Sequence, residues 1–256
     1  MIVDMQFPPE IIVADDSAKL AETAARAIID AALEAVKARG RFTISLAGGS
    51  TPRATYERLA QSPLREQMPW AHTWIFFGDE RGVGPEHPES NFRMANAALI
   101  SKVPVPATQV FRIRGEEGDP EAAATNYART LSEVFGGRRG ELPRFDLILL
   151  GLGVDGHTAS LFPGSPALKE VFRPVAAVHA SAAAVPQRFT LTFPVINAAA
   201  IVMFLAAGAE KAKVVKAVLG EPTSALPAAM ARPSEGRLVW LLDRDAASLL
   251  NVAKSR

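Results

Sequence analysis

The chain alternates between short apolar runs and longer stretches in which apolar positions recur with a helical spacing. Residues 74–77 form a continuous apolar run with the length that is typical of a buried strand, and residues 42–46 and 145–150 are mostly apolar segments of similar length that also predict strands. A long Ala-rich stretch begins after Asp15 and Asp16, which can cap a helix, and it ends before Gly40. Strands separated by helices in this way predict an α/β fold with a mainly parallel, Rossmann-like sheet and helices on both faces.

The rest of the chain continues this alternation. Because no internal repeat or low-complexity linker interrupts it, we expect one domain over residues 1–256, with a small additional lobe formed by the irregular middle of the chain. The same patterns predict strands at 11–13, near 110–111, near 174–178, at 188–192, 201–205 and 238–242, and helices at 51–60, 91–100, 120–135, 209–219 and 244–252.

Charge balance and composition narrow the range of functions. Lys and Arg number 28 and Asp and Glu 27, so no charge excess favours a nucleic acid or a membrane surface as partner. The absence of Cys excludes disulfides, thiolate metal sites and a Cys nucleophile. Residues 1–10 lack the pattern of a signal peptide, and the longest apolar stretch, 198–207, is too short to span a bilayer. We therefore expect a cytoplasmic protein, and we separately expect it to be a monomer.

The loop after the strand at 42–46 carries two glycines and two hydroxyls. Gly48 and Gly49 allow a ligand to approach the backbone, and Ser50 and Thr51 follow at the start of a predicted helix. The free N–H groups of a helix start attract an anion, so these four residues form a candidate phosphate site. The alternative is an ordinary strand-to-helix turn with Ser or Thr as the N-cap.

Three charged residues, Asp79, Glu80 and Arg81, come directly after the next strand and Gly78. Ligands of α/β sheets bind beyond the carboxyl ends of strands, so charges in this position indicate a crevice. Arg81 can bind phosphate through two parallel hydrogen bonds, and Asp79 can orient a hydroxyl or a cation. The alternative is a local salt bridge at the surface.

The loop after the strand at 145–150 has the spacing Gly-x-Gly-x-x-Gly over residues 151–156. This spacing also occurs in dinucleotide-binding sites, where it opens a long helix. Here Pro163 and Gly164 would stop any helix within about two turns, so a dinucleotide site fits poorly.

Asp155 and His157 lie in this loop, two residues apart among small residues. A carboxylate placed there can orient the imidazole and fix its tautomer, which leaves the other ring nitrogen free as a base. A buried structural His and a metal site without a clear third ligand are the alternatives. His179 follows an apolar run instead, and we expect it to be buried and hydrogen-bonded. Since the chain has no Gly-x-Ser-x-Gly motif, water is the expected nucleophile in any hydrolysis.

Two further cations occupy positions that favour a ligand site. Arg188 precedes an alternating strand, and Lys211 lies at the start of a helix, where a positive charge opposes the helix dipole. Completion of an anion site would explain Lys211, and a solvated surface lysine is the alternative.

Taken in order and with their spacing, these loops resemble the 6-phosphogluconolactonase family over about residues 10 to 250. The segments that carry the resemblance are SLAGGSTP at 45–52, FGDER at 77–81, HPESN at 87–91, GLGVDGHTASLFP at 151–163, RFTLT at 188–192, GAEK at 208–211 and WLLD at 240–243.

The resemblance implies a fold shared with glucosamine-6-phosphate deaminases and ribose-5-phosphate isomerases. It implies hydrolysis of 6-phospho-D-glucono-1,5-lactone to 6-phosphogluconate, a phosphorylated sugar as the small-molecule partner, and no metal or organic cofactor. His157 would then activate a water, and Asp155 would orient the imidazole of His157. Arg81, Arg188 and Lys211 would bind the phosphate.

Two alternatives stay open at this point. A deaminase would use Asp79 as a base at C2, although the residues after His157 resemble lactonases more. A non-catalytic sugar-phosphate sensor would normally carry a DNA-binding segment with a basic charge footprint, which this chain lacks.

Overall fold

A computed structural model of the protein describes residues 8–136, 141–181, 183–220 and 224–250, which form two β-sheets with helices packed around them. The strands in these residues are β1 Glu10–Ala14, β2 Phe42–Leu46, β3 Thr73–Phe77, β4 Asp79–Arg81, β5 Leu147–Leu150, β6 Val175–His179, β7 Gln187–Leu191, β8 Ile201–Ala206 and β9 Arg237–Asp243. The α-helices are α1 Ser17–Arg39, α2 Ser50–Leu59, α3 Leu64–Gln67, α4 Asn91–Ala98, α5 Pro120–Phe135, α6 Phe193–Ala198 and α7 Ala212–Gly220.

The larger sheet has the strand order β1-β9-β8-β5-β2-β3, and each of its pairings among the described strands is parallel. Ile44 of β2 packs with residues of α1 and α2 on one face, whereas Phe76 of β3 packs against Phe135 of α5 on the other. Because helices cover both faces, β2 and β5 are buried along their whole length, and β5 is a continuous apolar run. The predicted α/β class is therefore confirmed.

The longest helix begins and ends where its capping residues predict. The side chain of Asp16 accepts a hydrogen bond from the backbone N–H of Lys19 at 2.7 Å, which supplies one of the acceptors that a helix start lacks. Gly40 ends the helix with a φ of 75°, a left-handed conformation that glycine adopts without strain.

The smaller sheet is antiparallel, with the order β4-β7-β6, and it corresponds to the expected additional lobe. The chain passes from one sheet to the other at Gly78. The N–H of Gly78 donates to Leu46 of the larger sheet at 2.9 Å, and its carbonyl accepts from Leu191 of the smaller sheet at 2.8 Å. Residues 79–81 are therefore a strand, whereas the sequence predicted a loop there.

Other elements differ from the prediction for local reasons. Instead of a strand near 110–111 there is a single bridge from Val110 to Ile75, because the chain arrives from a 3-10 turn and leaves the sheet edge at once. Residues 193–198, for which no element was predicted, form α6, since Pro194 at the first turn favours a helix.

Predicted helices also change at their ends. The helix expected at 91–100 ends at Ala98, and the one expected at 209–219 begins with a 3-10 turn before α7. The described part of the predicted helix 244–252 consists of turns instead. Asp243 accepts a hydrogen bond from Ala246 N at 2.8 Å, as an N-cap does, but helical pairing does not continue beyond this turn. Residues 251–252 lie outside the described part.

The apolar stretch 198–207 contains β8, as predicted for a buried strand. Among the described helices, none combines the length and the apolar character that crossing a bilayer requires. Residues 1–7, most of the segment tested for a signal peptide, lie outside the described residues.

Candidate active site

Four loops meet at the carboxyl edge of the larger sheet and enclose a cleft of about 230 Å³. The strand order places the loop after β5 between the loop after β8 and the loop after β2, with β4 beyond β3. This is where an open parallel sheet binds its ligands. The predicted residues that line the cleft are Gly48, Gly49, Ser50, Thr51, Asp79, Arg81, His157, Arg188 and Lys211.

Asp155 is the predicted site residue outside the cleft lining, and it contacts His157 directly. Its Oδ1 lies 2.5 Å from Nδ1 of His157 and also accepts the backbone N–H of His157 at 3.2 Å. An ionised carboxylate can only accept, so Nδ1 carries the proton and Nε2 is left as the basic nitrogen. Partial burial raises the pKa of Asp155, but the hydrogen bonds from His157 outweigh it and the net pKa is below its usual value.

The glycine spacing of this loop makes room for the imidazole. A Cβ on Gly153 would lie 2.1 Å from Nδ1 of His157, a distance that no side chain tolerates. The loop does not open a helix as a dinucleotide site requires, and Thr158 forms a short bridge to Leu161 instead. The ring of Phe162 packs 4.6 Å from that of His157, measured between ring centres. In the described part of the chain, no group of three His, Asp or Glu side chains is arranged to hold a metal ion.

The loop after β2 brings the start of α2 to the cleft. Gly49 has a φ of 104° and precedes the helix without any side-chain cap, so the hydroxyls of Ser50 and Thr51 are not used as the N-cap of an ordinary turn. The first N–H groups of a helix lack acceptors within it, and they favour an anion. A Cβ on Gly48 would lie 2.1 Å from Oδ1 of Asn91, which explains why glycine is needed there.

Arg81 and Arg188 lie directly opposite each other on the antiparallel strands β4 and β7. Side chains so placed share one face, and two like charges there repel each other. Burial and the charge of Arg81 both lower the pKa of Arg188. Nε of Arg81 is buried and has no hydrogen-bond partner among the described residues, while Nη1 donates to the carbonyl of Glu89. An anion between the two guanidinium groups would relieve the repulsion and supply the acceptor that is lacking.

The alternative for Arg81, a surface salt bridge, is present only as a loose contact. Nη1 of Arg81 lies 3.6 Å from Oε2 of Glu89, whose side chain is half exposed. Exposed pairs of this kind contribute little.

Glu80 points away from the cleft, as strand alternation requires. It is 2% exposed, and its carboxylate accepts the N–H groups of Arg81, Asn91 and Phe92 and the hydroxyl of Ser90 at 2.7–3.0 Å. Burial raises the pKa of Glu80, and these hydrogen bonds oppose the shift. Glu80 therefore fixes the start of α4 beside the cleft and is not a ligand-binding group.

Asp79 faces the cleft and is 6% exposed. Its Oδ2 accepts the hydroxyl of Ser160 at 2.7 Å, and its Oδ1 accepts Nδ2 of Asn91 at 3.0 Å. Neither Ser160 nor Asn91 was predicted as a site residue. The only sequence signal for them is their place within the motif blocks, three residues after His157 for Ser160 and at the helix start after β4 for Asn91.

Lys211 reaches the cleft from the loop after β8. Asp243 at the end of β9 fixes this loop, because both of its carboxylate oxygens accept the N–H of Gly208 at 3.0 Å. Nζ of Lys211 forms no ion pair with any residue that the structure describes.

His179 differs from the prediction, since it is exposed at the end of β6 and not buried.

A cleft at the carboxyl edge of a parallel sheet that carries two opposed arginines and a His–Asp pair defines an α/β protein whose site fits a small anionic ligand. The model of the glucosamine-6-phosphate isomerase/6-phosphogluconolactonase family matches residues 15–240, and the chain belongs to this family.

Individual relatives agree with this assignment. The chain is 45% identical to the 6-phosphogluconolactonase of Rattus norvegicus over 219 residues, which are 84% of this chain and 82% of that protein. It is 39% identical to the 6-phosphogluconolactonase of a Nostoc species over 220 residues, 85% of this chain and 88% of that protein.

Solved structures show the same fold. The 6-phosphogluconolactonase from Trypanosoma cruzi superimposes with a TM-score of 0.85 at 32% identity, covering 97% of this chain and 99% of that one. A monomeric glucosamine-6-phosphate deaminase gives a TM-score of 0.77 at 24% identity, covering 94% of this chain and 99% of that one. The latter similarity establishes the common fold alone.

Proposed function

We propose that the protein hydrolyses 6-phospho-D-glucono-1,5-lactone to 6-phospho-D-gluconate, the second step of the oxidative pentose phosphate pathway, with a water activated by His157. The lactonases of rat and Nostoc, at 45% and 39% identity, support the reaction. One observation carries the mechanism: the imidazole of His157, oriented by Asp155, faces the same cleft as the opposed guanidinium groups of Arg81 and Arg188.

The chemistry needs only a positioned base. His157 Nε2 takes a proton from a water, whose oxygen attacks C1 of the lactone. The tetrahedral intermediate then expels the ring oxygen O5, which takes the proton back from Nε2 and leaves as a hydroxyl. The C1–O5 bond is broken and a carboxylic acid is formed, which releases its proton to the solvent and becomes a carboxylate, so that the protein holds no net proton. General-base assistance of this kind is worth about 10²- to 10⁴-fold in rate.

The anionic end of the substrate belongs at the arginine pair. Arg81 and Arg188 hold the phosphate, since a dianion there removes their mutual repulsion and meets the unpaired Nε of Arg81. The N–H groups at the start of α2, at Ser50 and Thr51, add donors for the phosphate or for the developing oxyanion. Lys211 adds positive charge from the opposite side of the His157 loop.

The deciding experiment generates the lactone enzymatically and follows its disappearance with the wild-type protein and with His157→Ala. We expect a loss of about 10²- to 10⁴-fold in kcat for His157→Ala. His179→Ala is the matched control, because that imidazole is exposed and lies outside the cleft. Hydrolysis by His157→Ala at the wild-type rate would exclude His157 as the base.

The same assay separates the proposal from the deaminase alternative. Release of ammonia from glucosamine 6-phosphate without any lactone hydrolysis by the wild-type protein would contradict it.

One domain over residues 1–256, a monomeric state and a cytoplasmic location stay predictions from the sequence, and gel filtration tests the monomer.

A further inference from the structure

Asp79 is a buried acidic residue of the cleft to which the mechanism above gives no role. Its carboxylate is 6% exposed and faces the cleft, and no Lys, Arg or His nitrogen of the described residues lies within 4 Å of it. A buried carboxylate without an ion-pair partner needs hydrogen-bond donors in place of the water that it has lost.

Two side chains supply these donors, and both are themselves buried. Ser160 is 0% exposed and donates its hydroxyl to Oδ2 at 2.7 Å, while Asn91 is 3% exposed and donates Nδ2 to Oδ1 at 3.0 Å. Nδ2 of Asn91 also donates to the backbone carbonyl of Asp79 at 2.9 Å. Both oxygens of the carboxylate are therefore held in one orientation.

The donors come from separate loops that are fixed independently. Asn91 is the first residue of α4, and its backbone N–H is held by Glu80 at 2.7 Å. Ser160 lies three residues after His157, and its backbone N–H donates to Oγ1 of Thr190 on β7 at 3.3 Å. The Asp79 carboxylate thus joins the loop of the proposed base to the strand that carries Arg81.

The charge of the cleft indicates what Asp79 faces. An ionised carboxylate has about four lone-pair sites and acts only as an acceptor, so sites remain beyond those used by Ser160 and Asn91. A phosphate would be repelled by it, and it belongs at the arginine pair instead. The complementary group on a phosphorylated sugar is a ring hydroxyl, which donates.

We propose that Ser160 and Asn91 are positioning residues that hold Asp79 as a fixed acceptor for a hydroxyl of the substrate's sugar ring. The proposal rests on the proposed function. It sets the sugar ring in register with His157, because Ser160 and His157 belong to the same loop. Ala159 between them has a φ of 48°, a left-handed conformation that a non-glycine residue holds only when its surroundings enforce it.

The test is Ser160→Ala, which removes the donor without adding bulk. We expect KM for the lactone and the Kd of 6-phosphogluconate to rise about tenfold, as for one lost hydrogen bond to a charged group, with kcat within about threefold of wild type. The Kd of inorganic phosphate should stay unchanged, because phosphate does not use Asp79. Asn91→Ala removes the other donor, and it should shift the same two constants in the same direction.

Ser165→Ala is the control, since Ser165 Oγ accepts the N–H of Ala167 on the same segment and does not line the cleft. The proposal is overturned if KM and Kd of Ser160→Ala equal those of this control. It is also overturned if the Kd of inorganic phosphate rises as much as that of 6-phosphogluconate, or if kcat falls while KM stays constant. If Ser160→Ala does not fold, Asn91→Ala decides by the same criteria. Wild-type protein that binds 6-phosphogluconate but leaves the lactone intact would contradict the proposed function, and the Kd values would still test the role of Ser160.

Discussion

At the residue scale, the cleft contains both a paired base, His157 with Asp155, and two arginines that face each other without a counter-ion between them among the described residues. His157 is held by a carboxylate so that one nitrogen can act as a base, whereas Arg81 and Arg188 are held near each other at an electrostatic disadvantage. The hydrogen bond between His157 and Asp155 forms without a ligand, whereas the two arginines would be stabilised by an anion bound between them. This contrast leads to two predictions about single side chains.

Asp155→Asn should leave the shape of the loop intact and lower kcat by about 10- to 100-fold with little change in KM. Asparagine can still accept a hydrogen bond from Nδ1, but it lacks the negative charge that stabilises the imidazolium formed during the reaction. Steady-state kinetics with the coupled lactone assay measures the effect. An unchanged kcat would mean that the carboxylate serves only the fold of the loop.

Arg188→Met should weaken substrate binding and yet stabilise the free protein. Loss of a charge-assisted contact to phosphate raises KM by at least about tenfold. Removal of one of two opposed like charges raises the free energy of unfolding by about 0.5–1 kcal/mol in the absence of ligand. Thermal and denaturant unfolding check the second part.

Arg237→Met is the matched control for that variant. Arg237 is paired with Glu10 through two hydrogen bonds of 2.9 Å, so its removal should not stabilise the protein and should not change KM. If Arg188→Met leaves KM unchanged, the argument for an anion between the two guanidinium groups fails.

At the element scale, short turns stabilised by a single side chain set the position of the loops. Asp243 holds the loop of Lys211, and Glu80 holds the start of α4. Glu170 does the same for the turn before β6, where its carboxylate accepts the N–H groups of residues 171–173 and Nε of Arg173. These hydrogen bonds lower the pKa of Glu170 to about 2.

The lowered pKa of Glu170 predicts a pH dependence of stability with a definite sign. A carboxyl group whose pKa falls on folding stabilises the protein above its unfolded value near 4.5, and this contribution is lost as the pH falls towards 2. Glu170→Gln should therefore lower the free energy of unfolding by about 1–2 kcal/mol at pH 7, allowing for solvent screening. The difference from wild type should shrink between about pH 5 and pH 2.

Denaturant unfolding at several pH values tests this, with Glu121→Gln as the control. Glu121 pairs with the same Arg173 at 3.0 Å but is 64% exposed, and a pair of that kind contributes about 0–1 kcal/mol. A constant difference between Glu170→Gln and wild type across the pH range would contradict the assignment.

At the scale of the whole molecule, the cleft lies where two sheets meet, so a ligand there should stabilise the entire fold. At a concentration 100 times its Kd, 6-phosphogluconate should add about 2.7 kcal/mol to the free energy of unfolding and raise Tm by about 5–10 °C. Gluconate without the phosphate should have a much smaller effect at the same concentration, because it lacks the group that the arginine pair binds. Equal shifts for both compounds, read by differential scanning fluorimetry, would refute the phosphate site.

Much of the fold is predictable from local patterns. Strand β5 is a continuous apolar run because helices cover both faces of the sheet, and α1 begins at Asp16 and ends at Gly40 as its caps predict. The predictions that were wrong concern short or edge elements, such as the strand near 110–111 and the helix from 244. Near 110–111 the contact with the sheet edge is a single bridge, and after 244 helical pairing does not continue beyond the turn that Asp243 caps.

The sequence by itself determined the α/β class, the glycine loop at 48–51 and the pairing of Asp155 with His157. Each of these depends on residues that are close along the chain, where spacing dictates geometry. Only the tertiary structure decided that Arg81 opposes Arg188 and that Ser160 donates to Asp79, a contact between residues 81 positions apart. No local pattern encodes such contacts, because they form when the chain crosses at Gly78 from the parallel sheet to the antiparallel one.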